Sequence, residues 1–173
     1  PRHFLALVGP AVGLLLMLLT ALEVDAQGNL TPSAPPGPTM KTLQQIEPRT
    51  PISSLPYFIT NVGSYYVTTN LFGQSGIVIG TNAVTIDLMG FELIGGGGAG
   101  VSVLTGVSNV CVRNGTLRNW NGGGVSASGA SASRFEGLQL IGNRSASGIA
   151  VGRACIVDRC IALGNVDRGI EAE

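Results

Sequence analysis

Histidine is nearly missing from this chain: the only one is His3. Everything after it must work without imidazole, which excludes histidine-based triads and histidine metal sites there. Lysine is as scarce, with Lys41 alone, so any cationic chemistry further along belongs to arginine. Charged residues make up 12% of the chain and cancel to a net charge of +0. That excludes the electrostatic footprint of a nucleic-acid or anionic-membrane binder. Aromatic residues are few, at 5%, and no apolar i, i+3, i+4 stripe runs through the glycine-rich half. A thick aromatic core and a helical repeat are both excluded.

What is abundant is glycine, 26 residues of it, which suits many short strands with frequent bends. Apolar residues concentrate first between Phe4 and Leu22, after Arg2 and before Val24-Asp25-Ala26. A basic start, an apolar run and small residues at the cleavage positions make residues 1–26 a secretory signal peptide. The run approaches the roughly 20 residues of a membrane span. Pro10, Gly13 and the polar stretch after Ala26 favour cleavage, so the mature chain is expected to be exported and to lack a membrane span. Three cysteines, Cys111, Cys155 and Cys160, are an odd number for export. They are either a Cys155–Cys160 bridge with one thiol left over or buried apolar thiols.

Residues 27–39 include NLTPSAPPGPT, a proline-rich extended linker. In MKTLQQIEP, residues Met40, Leu43 and Ile46 share one face of a short helix that Pro48 stops. Strand-forming residues then run from Thr50 to Leu71. Residues 40–72 are therefore expected to cap the glycine-rich region, covering an end that would otherwise invite edge-to-edge growth.

From Gly73 a long repeat takes over. The tetrads GIVI, GVSV, GVSA, GIAV and GIEA begin at Gly76, Gly100, Gly124, Gly148 and Gly169, at steps of 24, 24, 24 and 21 residues. Between successive glycines two further apolar positions recur. One set contains Val84/Ile86, Val110/Val112, Ser133/Phe135 and Cys155/Val157, and the other Leu93, Leu117, Leu140 and Ala162. Apolar pairs two residues apart place both side chains on one face of a strand. Three strands per repeat, each too short to stand alone, predict a solenoid of about five coils of about 24 residues over 73–173. Stacking coils about 4.8 Å apart in parallel would pile the apolar positions into three ladders. They are Ile77-Val101-Val125-Ile149-Ile170, Ile86-Val112-Phe135-Val157 and Leu93-Leu117-Leu140-Ala162.

The tetrad glycine marks a bend that either takes a left-handed backbone or lies too close to the next coil for a side chain. Asn143 and Asn165, each after a glycine, occupy matching bends where they can hydrogen-bond to each other. Gly95–Gly98 is a loose bend rather than a phosphate cradle, since neither a helix nor a Lys-Ser/Thr pair follows. Pro1 is no start residue and Glu173 falls inside a repeat, so a C-terminally truncated fragment is expected.

VTIDLMGFEL and VCVRNGTLRNW resemble the coil signatures of bacterial exported right-handed parallel β-helix proteins of the pectate-lyase-like superfamily. PTMKTLQQIEPRTPISSLPYFIT is similar to the segment before their first coil, and the resemblance runs from about Pro38 to the end. It implies an all-β, right-handed parallel β-helix. That fold hosts unrelated functions, so activity must be argued from sites.

The outward residue after the second ladder gives the column Asp87, Arg113, Glu136, Asp158. Carboxyl groups about 5–5.5 Å apart suit a retaining glycosidase and groups about 6.5–9.5 Å apart an inverting one, with Glu136 and Asp158 as the pair. The resemblance implies another chemistry, in which an acidic cluster holds Ca²⁺ and Arg113 acts as the base of a polysaccharide lyase. The same column also reads as surface ion pairs, with Arg134 or Arg159 neutralising Glu136 and Asp158. Trp120 with Arg118 is either a sugar-binding pair, an indole for a ring face and a guanidinium for a uronate, or a tryptophan folded over a bend to shield the core. The outward residues of the first strand, Val78, Ser102, Ser126, Ala150 and Glu171, make a smooth face. The expected function is an exported scaffold that binds extended carbohydrate, a polysaccharide or cell-surface glycan, or acts at the cell surface, without catalysis in this segment. The alternative is the N-terminal part of a polysaccharide lyase or glycoside hydrolase.

Overall fold

A computed structural model describes residues 46–144 and 146–173. The signal peptide and linker expected over residues 1–39 lie outside them, as does the short helix apart from its end at Ile46.

Glycine-marked bends divide the chain into short strands that return to the same place once per repeat. The strand β1 (Thr50–Ile52) is followed by a first coil of β2 (Tyr57–Ile59), β3 (Gly63–Val67) and β4 (Leu71–Gly73). The second coil holds β5 (Ile77–Ile79), β6 (Val84–Asp87) and β7 (Glu92–Gly95). The third holds β8 (Val101–Val103) and β9 (Val110–Arg118), and the fourth β10 (Val125–Ala127) and β11 (Arg134–Ile141). The fifth holds β12 (Ile149–Val151), β13 (Ile156–Asp158) and β14 (Ile161–Leu163), after which β15 (Ile170–Ala172) opens the next. All pairings between named strands are parallel and connect one coil to its neighbours. The architecture is an all-β parallel β-solenoid. No helix among the described residues is long and apolar enough to cross a membrane.

The three ladders stand in the expected register. Ile77 pairs with Val101, Val101 with Val125, Val125 with Ile149 and Ile149 with Ile170. Ile86, Val112, Phe135 and Val157 pair in turn, as do Leu93, Leu117, Leu140 and Ala162. All but the last step of each ladder are buried, each contributing about 1.5–3 kcal/mol of transfer free energy. Ser133 is the polar step beside the second ladder. It is buried but satisfied, accepting from the Val110 N–H at 3.1 Å and donating to the Ser131 carbonyl at 2.8 Å.

The tetrad glycines are explained by close approach. None of the five has φ in the left-handed region. Instead, the N–H after each of the first four donates to the next coil's glycine carbonyl: Ile77 to Gly100 at 2.9 Å, Val101 to Gly124 at 2.9 Å, Val125 to Gly148 at 3.0 Å and Ile149 to Gly169 at 3.1 Å. A Cβ on Gly124 would lie 2.7 Å from the Gly148 oxygen, and one on Gly148 would lie 2.6 Å from the Gly169 oxygen. Left-handed backbone occurs elsewhere, at the corner before the second strand of successive coils. Ala83, Asn109, Ala132 and Ala154 hold φ of 55°, 58°, 48° and 55° there. Each such non-glycine residue costs about 1–2 kcal/mol, which packing of the coil must offset.

The repeat begins earlier than Gly73. β2, β3 and β4 already pair in register with the second coil, so from Tyr57 the expected cap is itself a coil. It escapes the sequence pattern because Pro56 stands where later coils carry the tetrad glycine.

Asn143 and Asn165 stack as expected. The Asn143 N–H and its side-chain amide donate to Asn165 Oδ1 at 3.1 and 2.8 Å, and Asn165 Nδ2 donates to the Leu140 carbonyl at 2.9 Å. One coil earlier the Trp120 N–H donates to Asn143 Oδ1 at 3.1 Å, so Trp120 continues the same column. Asn143→Ala would strip the buried Trp120 N–H of its acceptor. We expect a loss of about 2 kcal/mol, read as a lower urea midpoint at unchanged slope.

Candidate functional site

The column expected to carry chemistry forms as a column: Asp87 pairs with Arg113, Arg113 with Glu136, and Glu136 with Asp158. Its side chains are occupied with one another. Asp87, expected to face solvent, is only 7% exposed. Its Oδ2 receives Arg113 through Nε and Nη2 at 3.1 Å, while Oδ1 accepts from the Met89 N–H at 2.9 Å and Asn114 Nδ2 at 3.3 Å. Its role is to tie the bend after β6 to the coil below. Glu136 lies between Arg134 at 3.6 Å and Arg159 at 3.8 Å, and Arg159 also holds Asp158 at 3.0 Å. Glu136 and Asp158 therefore share a guanidinium, the arrangement of surface ion pairs. The calcium of the lyase alternative finds no fit here, because each of these carboxylates is engaged by arginine. Among the described residues no group of His, Cys, Asp and Glu side chains is placed to hold a metal ion.

Trp120 must be corrected as a sugar platform. It is fully buried, and its Nε1–H donates to the Leu93 carbonyl at 3.0 Å. Its ring stands on Gly95, where a Cβ would overlap the indole. Gly95–Gly98 is thus a packed bend rather than a loose one, with the Gln74 carbonyl accepting from Gly98 at 2.8 Å. The tryptophan shields the core. Arg118 points the other way, to Glu92 at 3.0 Å, so the two never meet as one site.

The usable concavity lies one column over. Thr85, Cys111, Arg134 and Ile156 are outward register partners on β6, β9, β11 and β13. Beside them run the left-handed corners Ala83, Asn109, Ala132 and Ala154, whose small side chains leave a trough. Together they line an open groove of about 490 Å³ that crosses four coils. Among the described residues of its lining, half-exposed Arg134 is the only charged one. Next to it is a hollow of about 240 Å³ between Arg113 and Arg159, with Asn114, Glu136 and Gly137. Sequence reasoning missed this groove. The signal was the column of small residues just before each second-ladder pair.

Cys111, Cys155 and Cys160 are all free in this structure, each half-buried. Burial pushes the Cys111 thiol up, with Glu136 adding to the rise and Arg113 and Arg134 opposing it. Burial also raises Cys160. Neither has the depressed pKa of an activated nucleophile.

The top of this face is clamped by Arg49. Its guanidinium forks onto Glu47 at 2.7 and 2.8 Å and lies 4.9 Å over the Tyr66 ring, one coil above Asp87. The hydrogen bonds from Arg49 hold the Glu47 carboxyl down at about 2, against an ordinary 4.5. A lowered carboxyl pKa stabilises the fold above its unfolded value, and the contribution goes as pH falls through the folded one. The clamp is expected to stay closed down to about pH 2. A carboxyl NMR titration should place Glu47 near 2, and in Arg49→Ala near 4.5.

No family model, no curated protein and no solved structure matches this chain.

Proposed function

We propose that this chain is an exported scaffold, a right-handed β-helix of the pectate-lyase-like kind, that binds extended carbohydrate along the groove over Thr85, Cys111 and Arg134. The ligand class is a polysaccharide or cell-surface glycan. The observation that carries the reading is the groove itself: an open trough across four coils, lined by the Thr85 hydroxyl, the Asn109 amide and the Arg134 guanidinium on three successive coils. A ligand extended across coils about 4.8 Å apart can meet a different polar group on each of three of them. Binding is favoured over catalysis because the carboxylates beside the groove are held by arginines.

The test is affinity electrophoresis through gels containing pectin, alginate or a neutral glucan. Retardation is expected in at least one of them. Arg134→Ala should weaken it about tenfold, the loss of one hydrogen-bonded charged contact. In a Cys155→Ser/Cys160→Ser background the same glycan should protect Cys111 from a thiol reagent. No retardation in any gel, with Cys111 labelling unchanged, would refute the proposal. Release of unsaturated uronides that vanishes in Arg113→Ala would replace it with the lyase.

A further inference from the structure

We draw no further inference here: the strongest candidate, the open edge of the last coil, where β13, β14 and β15 each pair on one side only and Ile161, Leu163 and Ile170 stand exposed, carries nothing because nothing in the structure shows what covers it.

Discussion

Gly100→Ala is expected to cost about 3–5 kcal/mol, a large part of the roughly 5–15 kcal/mol that holds a domain together. The added Cβ would lie 2.7 Å from Leu117 Cδ2, 2.8 Å from the Gly124 oxygen and 2.8 Å from Trp120 Nε1. None of the three can retreat cheaply. The Gly124 oxygen accepts the Val101 N–H at 2.9 Å, Trp120 Nε1 donates to Leu93 at 3.0 Å, and Leu117 is fully buried. Relieving the overlap must open the spacing of two coils or break one of those bonds. Gly80→Ala is the control, since its nearest atoms would be 3.6 Å away in ordinary contact. It should stay within about 0.5 kcal/mol of the parent. Urea unfolding followed by far-ultraviolet circular dichroism separates the two. Equal stabilities would mean that the coils are not packed at this spacing.

Trp120→Ala should cost a similar amount, about 3–5 kcal/mol, by emptying the space of a buried indole between the third and second coils. Trp120→Phe keeps most of the volume but removes the indole N–H that donates to the Leu93 carbonyl. A loss of about 1–2 kcal/mol is expected for it. Because Trp120 is the only tryptophan in the chain, its fluorescence reports this site alone. The folded protein should show blue-shifted emission that iodide does not quench, and unfolding should shift it red. Strong quenching in the folded state would return the indole to the surface and reopen its role in sugar binding.

The core was legible because its period is long and its residues are aliphatic. Ile77, Val101, Val125 and Ile149 recur at fixed steps, and a strand offers only two faces, so the register followed from the pattern. The first coil was hidden because Pro56 replaces the marker glycine. The site was harder, for two reasons. Asp87 and Trp120 occupy positions where the alternation of a strand has already broken down at a bend, and there bend geometry rather than period decides the direction of a side chain. Asp87 turns in to meet the Met89 and Asn114 groups, and Trp120 turns in to continue the asparagine column. The groove was overlooked because nothing in Ala83, Ala132 or Ala154 suggests positive φ. Only the stacked coil makes alanine accept that backbone there. Arg134 was visible as a partner for Glu136, but its place in the trough became clear only with the corner column beside it.

All of these effects depend on coils lying parallel, one on the next. The most direct measurement is a nuclear Overhauser spectrum of the labelled protein. The parallel stack predicts amide contacts that run in series from Val78 to Ser102, Ser126 and Ala150, each one coil from the last. Strong Hα–Hα contacts between strands adjacent in sequence, such as Val101–Val103 with Val110–Val112, would indicate antiparallel hairpins and contradict the account.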